Sequence, residues 1–209
     1  MLLYRDCIFY KYTGAPMWKE IELSGEYFSS FKYELYDNDV IKAKFQWVDP
    51  IKVRDKIITN ERKTIDLLIF EDVNVICIFG GSESHIAYTI SKISQSFSVT
   101  LKKIDLFKRY KDFAINNKES GSLELTSIDM SKKPTGYDSN DYVNFPIKGI
   151  EFNVLKEYIE SDNLVNFVIY IESIQLYFFI DYMSVVSFLD TDEVSMILNA
   201  CKRIVKYIV

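Results

Sequence analysis

Residues 40–48 carry the clearest pattern in the chain, because apolar and polar side chains alternate there at almost every position. The apolar positions are Ile41, Ala43, Phe45 and Trp47, and the polar positions between them are Lys42, Lys44 and Gln46. Alternation with a period of two predicts a half-buried β-strand over Val40–Val48. Asp49-Pro50 is predicted to end it, because proline cannot donate a hydrogen bond to a neighbouring strand.

Other segments of the first half have periods typical of helices and buried strands. Apolar residues spaced three and four apart predict a short amphipathic helix over Gly25–Tyr36. Thr64–Phe70 and Val73–Phe79 are apolar and β-branched and are separated by Glu71-Asp72, which predicts a hairpin. Ser82 is the predicted N-cap of a helix. Its apolar positions are Ile86, Ile90, Ile93 and Phe97. Trp18–Leu23, Lys52–Thr59 and Leu101–Phe107 are further predicted strands.

The second half gives a similar series of elements. Strands are predicted at Tyr142–Ile147, Leu164–Ile171, Ile174–Ile180 and Val185–Leu189, with a helix at Gly149–Glu160. A last helix is predicted to begin at Asp190 or Thr191, and Asn116–Gly121 and Ser131–Asp141 are predicted loops.

Two stretches of the chain align with two later stretches without gaps. Leu23–Val48 can be laid over Ile147–Glu172, and Thr64–Ser94 over Gln175–Val205. The predicted fold class is therefore α+β, built from two tandem strand–helix–antiparallel-strands–helix repeats. We expect residues 1–98 and 142–209 to be the repeats and residues 99–141 to connect them within one globular unit. The repeats are expected to form a continuous pseudo-twofold antiparallel sheet with helices on one face.

One part of the first repeat resembles a known fold. Leu67-Leu68-Ile69-Phe70, a hairpin, Val75–Gly80 and Ser82-Glu83 opening a helix are similar to the TATA-binding-protein-like fold. That resemblance implies a saddle-shaped sheet that binds DNA, with paired phenylalanines that wedge the bases apart. Phe70 matches one wedge position, whereas the other three fall at or near Val40, Leu164 and Ile180. Wedging depends on phenylalanines at those positions, so the resemblance implies the fold more strongly than it implies insertion into DNA.

Charge and cysteine content narrow the classes of function. The formal net charge is −5 and the isoelectric point is about 5.1, which works against nucleic-acid binding because Lys and Arg supply most of the affinity for phosphates. One basic patch could hold an anion, and it comprises Lys102, Lys103, Lys108 and Arg109. The three cysteines include no CxxC motif, and we expect them to be buried and reduced, in a cytoplasmic protein. The sequence shows neither a signal-peptide core nor an apolar run long enough to span a membrane.

No catalytic constellation stands out. His85 is the single histidine and is expected to be solvated or to have a capping role. Gly80-Gly81-Ser82 lacks the Gly-Lys-Ser/Thr of a P-loop and is interpreted as a strand-ending turn. Lys63 and Asp66 approach a nuclease pattern, without an equivalent in the second repeat. One histidine and scattered cysteines predict no metal site, and no cofactor is predicted.

The predicted strands of the second repeat are apolar or aromatic on both faces, although a free antiparallel sheet has one polar face. Either the 99–141 segment covers the second face, or a partner does. The predicted partner-binding residues are Tyr170, Tyr177, Phe179, Phe70, Lys42 and Lys44.

We expect a non-catalytic module that binds another protein or itself. The alternative is nucleic-acid binding through a TATA-binding-protein-like sheet, and the third class is an enzyme that uses Asp66 or His85. A composition rich in Lys, Ile, Asn and Tyr is typical of low-GC bacteria and their mobile elements, which suggests a role in phage defence or immunity.

Overall fold

The computed structural model describes residues 2, 4–19, 29–37, 39–53, 56–116, 123–132, 142–207 and 209, without the side chains of 49–53 and 56–61. The fold is α+β, as predicted, and its strands form antiparallel sheet. The chain divides into two compact units, Met1–Lys103 (unit 1) and Ile104–Val209 (unit 2). The boundary falls within the segment that we expected to connect two repeats.

Unit 1 consists of an antiparallel sheet and one helix in its described part. The strands are β1 (Asp6–Thr13), β2 (Ser29–Asp37), β3 (Val40–Val53), β4 (Lys56–Phe70), β5 (Val75–Phe79) and β6 (Thr100–Lys103), and α1 spans Glu83–Phe97. Their order across the sheet is β2-β3-β4-β5-β1-β6, and each neighbouring pair is antiparallel.

The alternation in β3 is confirmed. Its four apolar positions are buried, and the polar positions between them are half-buried. Three of the apolar positions of β3 pair with Ile65, Leu67 and Ile69 of β4, so both sets lie on one face of the sheet. These residues form the core together with Ile86, Ile93 and Phe97 of α1. The β4–β5 hairpin and the helix after Ser82 are also confirmed, because β4 pairs with β5 and the Ser82 Oγ accepts the His85 N–H at 3.3 Å.

The helix predicted over Gly25–Tyr36 is wrong, because Ser29–Asp37 is strand β2. Residues at positions 31, 33 and 35 also alternate, and β2 pairs Phe31 with Phe45 and Leu35 with Ile41. The sequence therefore allows both a helical spacing and the period of two of a strand, and pairing with β3 selects the strand. The predicted strand end at Asp49-Pro50 is wrong too. The ladder between β3 and β4 shifts register between Val48 and Pro50 and then continues, since a bulge tolerates a proline.

Trp18 and Lys19, predicted to begin a strand, lie in a turn, and residues 20–23 of that prediction fall outside the described residues. Lys52–Thr59, predicted as one strand, contains the end of β3 and the start of β4.

The sheet strands of unit 2 are also antiparallel, and its described residues include three helices. The helices are α2 (Leu106–Asn116), α3 (Phe152–Glu160) and α4 (Val194–Tyr207), and the strands are β7 (Glu124–Ser131), β8 (Tyr142–Pro146), β9 (Leu164–Ile171), β10 (Leu176–Asp181) and β11 (Val186–Phe188). The strand order is β8-β7-β9-β10-β11. A single 3₁₀ turn at Glu172–Ile174 joins β9 to β10.

Helices α2 and α3 pack on one face of this sheet. The rings of Phe107 and Tyr110, both in α2, lie 4.9 Å from the ring of Phe167 in β9. Tyr158 of α3 stacks on Phe145 of β8 at 5.7 Å, and Phe145 shares the face of Phe167 through the pairing across β7. We call this the helix face and the opposite side the open face.

The start of unit 2 differs from the prediction. Leu106 opens α2 instead of lying in a strand, because the Asp105 Oδ1 accepts the Lys108 N–H at 3.0 Å, as an N-cap side chain does. Strands β1 and β7 and helix α2 were not predicted. The two predicted loops fall mainly at 117–121 and 133–141, outside the described residues.

The first overlay of the predicted repeats places strand β2 on helix α3 and is therefore wrong as a repeat of secondary structure. The second overlay places a hairpin followed by a helix on another hairpin followed by a helix. None of the helices in the described part of the chain combines the length and the apolar character that crossing a membrane requires.

Candidate protein-binding surface

The open face of unit 2 is built by alternation along β9 and β10. Phe167, Ile169 and Ile171 point to the helix face and are buried, so the residues between them point the other way. Cross-strand pairing aligns the open-face residues into rows. The rows are Tyr170 with Tyr177, Val168 with Phe179, and Asn166 with Asp181.

Tyr170, Tyr177 and Phe179 form an aromatic patch on this face, here called the open aromatic patch. The rings of Tyr170 and Tyr177 lie 4.6 Å apart at an angle of 34°. Tyr177 is 43% exposed, and Tyr170 and Phe179 are half-buried. The two tyrosines support each other, so their ring faces are held in place on strands rather than on a loop.

A hydrogen-bonded carboxylate lies on the same face as the aromatic patch. Asp129 of β7 accepts the Asn144 amide at 2.7 Å on one oxygen and the Asn166 amide at 3.0 Å on the other. Asn144 also lies 3.0 Å from the Ser127 Oγ. This group was not predicted, because no strand was predicted over 124–131 and only the structure pairs β7 with both β8 and β9.

The charge of the open face is acidic. Glu124 pairs with Tyr170, Asp129 with Asn166, and Asp181 ends the same row. Among the paired residues of this face in β7 to β11, three are carboxylates and none is Lys or Arg. The Asp181 Oδ1 accepts the Val185 N–H at 2.8 Å, which fixes the turn between β10 and β11.

The other predicted partner-binding residues belong to unit 1. Phe70 is 3% exposed, so its placement on an accessible surface is corrected. Lys42 lies 2.6 Å from Glu34, and Lys44 lies 3.6 Å from the buried Asp66. The hydrogen bond from Lys42, followed by its charge, lowers the pKa of the exposed Glu34 carboxyl. Both lysines are thus engaged in ion pairs across neighbouring strands.

The predicted basic patch divides between the two units. Lys102 and Lys103 are exposed on β6, whereas Lys108 and Arg109 are exposed on α2. Arg109 donates a hydrogen bond to the backbone oxygen of Val209.

Gly80-Gly81-Ser82 was interpreted as a turn that ends β5, and close packing around this turn supports that structural role. The His85 ring meets the Trp47 ring edge-on at 5.4 Å, so it packs against an aromatic side chain. A Cβ on Gly80 would come within 2.8 Å of an Ile86 carbon, and a Cβ on Gly81 would collide with the Tyr4 ring. A side chain at either position would therefore force the neighbouring side chain to shift.

The proposed nuclease pair is not assembled. Asp66 pairs in register with Lys44 while Lys63 pairs with Trp47, so Asp66 and Lys63 lie on opposite faces of β4. Burial raises the pKa values of Tyr10 and Tyr12 in unit 1 and of Tyr110 in unit 2, which keeps these phenols protonated and favours a packing role.

All three cysteines are free and buried, as predicted. The sulfur atoms of Cys7 and Cys77 lie within 4.8 Å in unit 1, although 69 residues separate them between β1 and β5. Two thiolates at this separation are close enough to ligate one soft metal ion. Spacing along the sequence, on which the prediction of no metal site rested, did not indicate this proximity.

Comparisons of the sequence with protein-family models and with curated proteins find no match.

Proposed function

We propose that the chain is a protein-binding module and that its contact surface is the open face of unit 2. The observation that carries the proposal is the exposure of Tyr177 beside Tyr170 and Phe179 on the face opposite α2 and α3. Tyrosine offers a large, rigid contact area at a small entropic cost and is enriched at protein interfaces.

The 99–141 segment supports this choice of face. Its helix, α2, packs on Phe167 of the helix face, and its strand, β7, extends the sheet. The described part of the segment therefore covers the helix face and leaves Tyr177 accessible.

The charge of the open face favours a partner with basic side chains. Asp129 is held by two amide donors and is available as a fixed acceptor, and Glu124 lies beside the aromatic pair in register. Lys or Arg from a partner could pair with these carboxylates and stack on the tyrosine rings. The same carboxylates would repel the phosphates of a nucleic acid, and Lys42 and Lys44 already pair with Glu34 and Asp66.

The experiment is photo-crosslinking from the proposed surface in the cells that produce the protein. Benzoylphenylalanine at position 177 should give a protein adduct that excess unlabelled protein competes away. Tyr88 is the matched control, because it is a similarly exposed aromatic residue on α1 of unit 1. Tyr170→Ser should remove the adduct at 177. Sedimentation of the purified protein over a concentration series distinguishes a second copy from a different partner.

The proposal fails if position 177 gives no competed adduct and the protein sediments as a monomer throughout. An adduct to nucleic acid at 177 would favour the alternative function instead. A role in phage defence or immunity stays a hypothesis that rests on composition.

The duplication and the TATA-binding-protein-like resemblance remain proposals about ancestry and fold. They are supported by the shared order of β4-β5-α1 and β10-β11-α4. They are not needed for binding through the open face.

A further inference from the structure

A groove of about 480 Å³ lies along α4 in unit 2, and its described lining includes none of the residues assigned to the open face. It is lined by Ile174, Asn199, Lys202, Arg203, Lys206 and Tyr207. Its volume is in the range of small-molecule sites in proteins. No carboxylate occurs among the described residues that line it.

The basic side chains of the groove share one side of α4. The helix brings four polar residues together, because Lys202, Arg203 and Lys206 lie three, four and seven residues after Asn199. At these spacings the four side chains are neighbours on the helix surface. The other side of α4 is buried through Ile197, Leu198, Ala200, Cys201, Ile204 and Val205. Burial of that side fixes the rotation of the helix, so the cations are held toward the groove.

The helix dipole accounts for only part of this charge. Cations are favourable within the last turn of a helix, and Lys206 is the basic residue in the last turn of α4. Lys202 and Arg203 lie one turn earlier, where the effect has fallen off. The dipole therefore stabilises only one of the three cations, in a protein whose net charge is −5.

We infer that this α4 groove binds a small anion that carries two or more linked phosphate groups. Three cations spread over about one helical turn can contact successive phosphates, and Arg203 can bind one of them with two hydrogen bonds. The Asn199 amide adds a neutral donor. Lys206 lies 5.2 Å from the centre of the Tyr207 ring, so an aromatic surface borders the charged part of the groove.

The test is isothermal titration of the full chain with tripolyphosphate, orthophosphate and sulfate. Tripolyphosphate should bind most tightly, because it reaches more of the cations, and its affinity should fall with added salt. Arg203→Gln should weaken tripolyphosphate binding roughly tenfold, as expected for one charge-assisted contact. The triple variant Lys202→Gln/Arg203→Gln/Lys206→Gln should abolish it.

The matched control removes the same number of charges from the predicted basic patch. Lys102→Gln/Lys103→Gln/Lys108→Gln should leave the affinity unchanged, and circular dichroism should show that both triple variants are folded. If the α4 triple variant does not fold, the exposed Lys206→Gln serves in its place and should weaken binding severalfold. Absence of tripolyphosphate binding to the wild-type chain would overturn the inference. Equal binding by the α4 variant, or loss of binding in the control variant, would overturn it as well.

Discussion

Two lysines on one strand provide a direct test of how burial sets the strength of an ion pair. Lys42 and Lys44 lie on the same face of β3, two residues apart. Lys42 is 2.6 Å from Glu34, and Lys44 is 3.6 Å from Asp66. Distance alone would make the Lys42 pair the stronger one. Exposure reverses that order, because the Glu34 side chain is 64% exposed and that of Asp66 is fully buried.

The expected losses of stability follow from this difference in solvation. Lys42→Met should cost less than about 1 kcal/mol of unfolding free energy, since water solvates the remaining carboxylate of Glu34. Lys44→Met removes a cation from a buried carboxylate, which costs about 3–5 kcal/mol when both partners are buried. The Lys44 side chain is 39% exposed, so we expect a smaller loss of about 2–3 kcal/mol. Methionine retains most of the apolar stem in both variants.

The assay is urea unfolding followed by tryptophan fluorescence. Both tryptophans of the chain, Trp18 and Trp47, lie in unit 1 together with the two ion pairs, so the signal reports the unit that is changed. Asp66→Asn in the Lys44→Met background should recover part of the loss, because it removes the buried charge. A loss for Lys42→Met that equals or exceeds the loss for Lys44→Met would refute the argument from burial.

Further predictions concern buried groups elsewhere in the molecule. Ser184→Ala should destabilise unit 2 by about 1–3 kcal/mol, because the Ser184 Oγ accepts the Phe107 N–H, and hydrogen exchange of α2 amides should quicken. Burial raises the pKa of Tyr110, whereas a tyrosine in the unfolded chain ionises near pH 10, so the protein should lose stability as the pH rises through about 10. Tyr110→Phe should flatten that decline in urea midpoints, and an unchanged profile would contradict the assignment. A thiol reagent should label none of the cysteines in the native protein and all of them in urea, namely Cys7, Cys77 and Cys201. Rapid labelling of the native protein would contradict their burial.

The elements that could be predicted from the sequence are those with an unambiguous local signal. The alternation of β3 has one period and no competing period, and Ser82 stands where a helix needs an acceptor for its first N–H groups. The apolar run of β9 was predicted over its full observed length. These signals act over a few residues, so the sequence contains them in full.

The errors arise where distant segments decide the structure. Residues 29–37 fit a helix by one spacing and a strand by another, and pairing with β3 selected the strand. Asp129 gains its role from Asn144 and Asn166, which lie 15 and 37 residues away in sequence. Phe70 was predicted to be accessible from its position in a resembling motif, yet its burial depends on what packs over β4. Local pattern carries no information on these long-range contacts.

The two candidate surfaces of unit 2 have opposite charge, which makes them separable by experiment. The open face presents carboxylates around the aromatic patch, whereas the α4 groove presents Lys202, Arg203 and Lys206. The net charge of −5 averages over both surfaces and therefore predicts the ligand of neither. Neutralising the groove should abolish tripolyphosphate binding without changing the adduct at position 177, and Tyr170→Ser should do the reverse. If either substitution removed both activities, the two surfaces would act as one site, and the separate assignment of a protein partner and a phosphate-bearing anion would have to be abandoned.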